Sequence, residues 1–345
     1  MAFLILENGT VFEGQRFGAL GDTVGEVVFT TGMVGYPETL TDPAYAGQLV
    51  VQTFPMVGNY GIIPEDIAPT AAPCGYIVRE YCEQPSNFRC EQTLDAFLKQ
   101  QGVVGLCGID TRELTTVLRE HGTMNAMICD TVPDDLTVLR EYTVGRRVAD
   151  VSCTESRVYP AVGEKRYAIT LVDLGTSLTL VHALCEHGCE VTVVPHDTSA
   201  SAIKHQQPDG VVFAGGPGDP RDCTEYLPVI RELFGKLPML GVGLGHQLIA
   251  LSQDGAVEKL PYGHRGANQP VKIAGTSRRT YITNQNHGYV VSEIPEGALP
   301  WFRNANDNTC EGIYYTTHYC VTVQFDPNDV VFDRFFALMG GADHA

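Results

Sequence analysis

The chain has 345 residues, of which 44% are hydrophobic and 19% charged. That balance excludes a disordered or fibrous protein and predicts two domains of roughly 150 to 200 residues. A formal net charge of −18 excludes nucleic acid and acidic membranes as expected partners, because phosphate-rich surfaces are bound through lysine and arginine.

The N-terminal run Phe3 to Leu6 follows no basic segment and is too short for a signal peptide, so it reads as a first strand. Gly25 to Phe29 reads as another, ahead of the glycine-rich Thr31-Gly32-Met33-Val34-Gly35-Tyr36. Helices are expected around Thr93 to Gln100 and from Thr111 to His121, the second stopped by Gly122. Residues 1–150 therefore form an α+β domain with long loops. Residues 151–166, with Pro160 and Gly163 and no periodicity, predict a linker. From 167 to 345 apolar strands alternate with helices: Tyr167 to Asp173, Ser177 to His187, Glu190 to Val194, Gly210 to Phe213, Thr224 to Phe234 and Met239 to Val242. Such alternation predicts a doubly wound α/β domain with a parallel sheet covered on both faces. No stretch is long and apolar enough to span a membrane. Eleven cysteines without a leader sequence predict reduced thiols in a cytoplasm. None form a Cys-x-x-Cys pair, and Cys185 and Cys189, at helical spacing, read as small buried hydrophobes.

Two glycine-rich turns follow strands of the expected sheet, where open α/β folds place ligands. Phe213 to Pro220 carries Gly215, Gly216 and Gly218, whose small size lets backbone amides approach a ligand. Gly241-Val242-Gly243-Leu244-Gly245-His246-Gln247 has glycines two residues either side of a central position, the spacing of a nucleophile elbow. Its central residue, Gly243, has no nucleophile.

The Gly-x-x-x-Gly elbow resembles the Gly-x-Cys-x-Gly of class I glutamine amidotransferases. Several ordered stretches narrow the resemblance to the small subunit of carbamoyl-phosphate synthetase: Gly25 to Met33, Tyr36 to Pro43, Pro55 to Gly61, Gly108 to Arg112, Tyr262 to Asn268 and Asn284 to Tyr289. The resemblance covers nearly the whole chain. It implies a large-subunit partner that performs the ATP chemistry, a role in arginine and pyrimidine biosynthesis, and a glutamine pocket at Gly216, Gly218, Leu244, Gln247, Asn286, Gly288 and Tyr289. The glycines, Leu244 and Tyr289 serve turns or packing equally well, and Gln247 and Asn286 suit loop hydrogen bonds as well as a ligand.

The departures fall on chemistry. The family's cysteine falls on Gly243, and its His-Pro-Glu becomes Asp326-Pro327-Asn328. An aspartate with an ordinary pKa near 3.9 is a poor base at neutral pH. Ala44 replaces a serine that contacts glutamine in the family. His246 and His287 read as residues bonded within the fold, and Cys310 and Cys320 as structural thiols without an elbow. No P-loop, dinucleotide fingerprint or metal motif appears, so no cofactor is expected. The expectation is a non-catalytic small subunit, with residual glutamine binding left open. A repurposed enzyme using Asp326, Asp329 and His287, and an amidotransferase with another nucleophile, are the alternatives.

Overall fold

The computed structural model describes residues 1–275 and 279–340. The chain separates into two compact units, Met1–Arg147 and a second from Val148 onward.

In the first unit seven strands close into a barrel, in the order Ala2–Leu6, Val11–Gly18, Val104–Cys107, Gly75–Ile77, Gln48–Gln52, Thr23–Thr30 and Met124–Cys129. Along Val11–Gly18 the first five residues alternate exposed and buried, the period of a strand with one face inward. Glycine is needed at Gly14, where a Cβ would stand 2.5 Å from the Cys107 carbonyl oxygen. Helix Leu94–Gln101 starts where Thr93 Oγ1 accepts the Ala96 N–H and stops at Gly102, φ 71°. Asp110 caps helix Thr111–His121 in the same way, through the N–H groups of Arg112 and Glu113.

Residues 151–166, where the sequence suggests a linker, include the strand Arg157–Tyr159, which pairs antiparallel with Cys189–Pro195. The second unit is built on a ten-stranded sheet. Its parallel centre runs Cys189–Pro195, Tyr167–Asp173, Gly210–Phe213, Met239–Val242 and Cys320–Val323. Alternate residues of these strands feed two separate cores: Val211, Phe213 and Met239 pack with helices Leu227–Leu233 and Leu244–Ser252. Val212, Leu240 and Val242 pack on the other face with Leu178–Glu186 and Asp329–Gly340. Burial on both faces explains the continuous apolar runs.

Two further details differ from the sequence reading. The expected helix at 224–234 is a 3-10 turn, Thr224–Tyr226, followed by Leu227–Leu233, because Pro228 lacks an N–H and belongs in a helix's first turn. Cys185 is helical but Cys189 opens a strand, since the chain leaves the helix at Gly188, φ 81°. Both thiols are buried.

Candidate functional site

Strand Met239–Val242 ends at Gly243, which takes φ 55° and ψ −112° before helix Leu244–Ser252 begins. Its N–H donates to the Val323 carbonyl at 2.9 Å, and the Gly245 N–H donates to that of Ala214 at 3.0 Å. A Cβ on Gly241 would lie 2.7 Å from Ile249 Cδ1, and one on Gly245 2.1 Å from the Phe213 oxygen. At Gly243 the nearest atom would be Gly215 Cα at 3.3 Å. The flanking positions thus exclude side chains, while the central one would accept a Cβ only with a small shift of Gly215 and at a strained φ. The turn has the backbone of a nucleophile elbow and no nucleophile.

The facing loop is held just as closely. Gly216 sits against the Leu174 carbonyl, 2.1 Å from where a Cβ would be, and Gly218 has φ 92°. Asp219 accepts hydrogen bonds from the Arg221 backbone N–H and guanidinium. Burial would raise the Asp219 carboxyl, but these donors hold it below the usual carboxylate range. The Arg221 guanidinium carbon lies 5.7 Å from the centre of the Tyr289 ring. Arg221 therefore joins the 215–220 loop to Tyr289, a role that nothing in its sequence context announces.

Leu244 is 3% exposed and packs into the core. Gln247 is also buried, and its Nε2 donates to the Tyr289 carbonyl at 3.0 Å and to Gln324 Oε1 at 2.9 Å. Asn286, Gly288 and Tyr289 are half-buried on the strand Thr280–Glu293. The second unit thus brings together the elbow, Gly216, Gly218, Gln247 and Tyr289. Ala44 lies in the first unit, in the 3-10 turn Pro43–Tyr45, with its N–H donating to Asp42 Oδ1 at 2.9 Å.

Asp326 is exposed, and its Oδ2 accepts a hydrogen bond from Asn284 Nδ2 at 2.7 Å. Asn328 directly precedes the helix Asp329–Gly340. Its Oδ1 accepts the Val331 N–H at 3.3 Å and its carbonyl accepts those of Val331 and Phe332, so it caps the last helix. Burial pushes the Cys310 thiol up to about 11 and raises that of Cys320 as well. His246 is fully buried, with Nδ1 2.7 Å from Thr322 Oγ1, and burial pushes it down to about 3, so it is neutral at pH 7. His287 Nδ1 donates to the Tyr289 carbonyl at 2.9 Å. An open groove of about 620 Å³ near Trp301, Tyr314 and Arg334 shares no residue with the elbow.

The family model for the carbamoyl-phosphate synthase small chain, CPSase domain, matches residues 4–128, and that for glutamine amidotransferase class-I matches residues 170–331. The chain is 43% identical over 346 residues to the carbamoyl phosphate synthase small chain of Clostridium perfringens, covering 97% of this chain and 98% of that one. It is 42% identical over 357 residues to the carbamoyl phosphate synthase pyrimidine-specific small chain of Halalkalibacterium halodurans, covering 99% and 98%. A solved glutamine amidotransferase from Thermotoga maritima aligns with 51% of this chain and 83% of its own, at 16% identity and a TM-score of 0.38.

Proposed function

The chain belongs to the carbamoyl phosphate synthase small-chain family, and from that premise we propose that it is a small subunit that no longer hydrolyses glutamine and instead serves a large subunit supplied with free ammonia. The observation that carries this reading is Gly243, a nucleophile turn with no nucleophile. Asp326 and Asn328 add to it: one is an exposed carboxylate held by Asn284, the other a helix cap. Loss of a nucleophile together with its base costs many orders of magnitude in rate. The remaining function is assembly: stabilising the large subunit, shaping the ammonia entrance or passing on regulation.

The match to the amidotransferase model favours a second reading, a glutaminase with another nucleophile. Cys310 and Cys320 are poor candidates, because both are buried and their thiols are raised, the reverse of what nucleophilic cysteines need. Binding of intact glutamine is compatible with either reading.

Co-expression with the large chain from the same source tests the proposal. The two chains should co-elute, because permanent interfaces bury more than roughly 2,000 Å². The complex should make carbamoyl phosphate from ammonia and release no glutamate from glutamine above background. Glutamine-driven synthesis would refute the loss of glutaminase activity, and failure to co-elute would refute the assembly role.

A further inference from the structure

Four strands of the second unit pair in a closed ring: Cys310–Tyr315 with Thr280–Glu293, that strand with Ala256–Ile273, that one with Ala298–Asn304, and Ala298–Asn304 back with Cys310–Tyr315. Each strand contributes one residue to a polar cluster closed off from solvent: Glu311, His287, His264 and Asn304, none more than 8% exposed. These positions are too far apart in sequence to read as a metal motif. The ring of strands brings them together, with His264 and His287 as direct cross-strand partners.

His264 Nδ1 lies 3.0 Å from Glu311 Oε1, and His287 Nε2 lies 3.6 Å from Glu311 Oε2. One ligand atom from each of the three residues falls within 4.8 Å of the others. Hydrogen-bond direction narrows what can sit between them. The Tyr289 carbonyl can only accept, so the proton of His287 is on Nδ1. His287 Nε2 then faces Gln285 Oε1 at 3.2 Å and Glu311 Oε2 at 3.6 Å, both oxygens. Gln285 is held in that orientation because its Nε2 donates to Thr283 Oγ1. Glu311 Oε1 accepts from Asn304 Nδ2 and Thr309 Oγ1, each at 3.2 Å. Glu311 Oε2 is buried and, among the described residues, meets no hydrogen-bond donor. His246 Nε2 is in the same position on a fully buried ring. On the far side of His264, Nε2 lies 2.8 Å from Asp307 Oδ2, the carboxylate–histidine pairing that orients metal-bound imidazoles.

Two imidazole nitrogens and a buried carboxylate oxygen converge here, and two histidines with one carboxylate are a donor set for divalent first-row metals. We propose that His264 Nδ1, His287 Nε2 and Glu311 Oε2 bind one divalent transition cation of the zinc class. Asp307 and the Tyr289 carbonyl orient the two imidazoles. Tetrahedral zinc requires donor separations of roughly 3.4 Å, so binding draws these three atoms, now within 4.8 Å of one another, closer together. The ion is structural: it ties together the three strands that carry His264, His287 and Glu311, one of which also carries Asn286 and Tyr289.

The test uses the full chain, stripped with a chelator and titrated with zinc or cobalt(II) chloride by calorimetry and absorption. One equivalent should bind per chain, zinc should raise Tm, and cobalt should give visible d–d bands without thiolate charge-transfer bands. Glu311→Gln should weaken binding at least tenfold. Because that buried change can itself unfold the ring, Asp307→Asn provides an independent test: its side chain is 43% exposed, and loss of such an orienting partner weakens metal affinity about 10- to 100-fold. Far-ultraviolet circular dichroism should be unchanged in that variant. Absence of stoichiometric binding would overturn the proposal and leave a proton-held histidine–glutamate pair. Thiolate bands, or one equivalent that ignores both variants, would overturn it equally.

Discussion

Gly243 combines a conformation that suits glycine with a close approach of Gly215 Cα, 3.3 Å from where a Cβ would stand. Its φ of 55° is one that a residue with a Cβ adopts at a cost of about 1 to 3 kcal/mol. Gly243→Cys should therefore lower stability by about that amount in urea denaturation, and it should produce no glutamate, since the thiol would have no base. Turnover by that single variant would show that Asp326, or another group, is an adequate base. The fair reconstruction is Gly243→Cys with Asp326→His and Asn328→Glu, and it carries a second cost. Asn328 caps the last helix through Val331, and Asn328→Ala should cost about 1 kcal/mol, read as a shift in urea midpoint. An unchanged midpoint would mean that the backbone carbonyl alone holds the helix start. The sharp turn at Gly241, Gly243 and Gly245 was legible in the sequence, because the crowding of its flanking positions leaves a glycine spacing. The duties of Asn328, Arg221 and the Gln247 amide were not, because they depend on partners 42 and 77 residues away or on local geometry.

At the level of elements, the alternation of strands and helices after residue 167 was readable because each parallel strand is buried on both faces and appears as an unbroken apolar run. A helix end was readable where a positive-φ glycine marks it, as at Gly122, φ 91°. The closure of the first unit's barrel and the four-strand ring of the second were not, since register between distant strands leaves little trace in either strand alone. Helix Leu244–Ser252 carries His246 with its ring wholly buried, and this sets an acid limit on stability. In the folded chain the ring stays neutral down to about pH 3, whereas the unfolded chain takes up the proton near 6.5. The unfolded state therefore binds more protons between those values, and stability falls as pH drops through the window. The loss should be on the order of 3 kcal/mol by pH 4. Urea midpoints measured from pH 7 to pH 4 should fall more steeply for the native chain than for His246→Gln. Parallel curves would mean that His246 already carries its proton in the fold.

At the scale of the molecule, the two units have separate interiors, and the division at Arg147 and Val148 makes the first unit a candidate for independent folding. A fragment of residues 1–147 should unfold cooperatively in urea. A non-cooperative transition would show that its barrel relies on the rest of the chain. No helix among the described residues is long and apolar enough to cross a membrane. In the barrel every strand has a hydrogen-bonded neighbour on both sides, so its wall has no vacant edge on which an incoming chain could lay another strand. Recruitment of the barrel wall by β-augmentation is therefore closed off. A protein that grips the barrel must read its loops and outward side chains, a form of recognition that loop substitutions can retune while the hydrogen-bonded wall stays the same. The same continuity denies misfolded neighbours a template for strand-by-strand stacking.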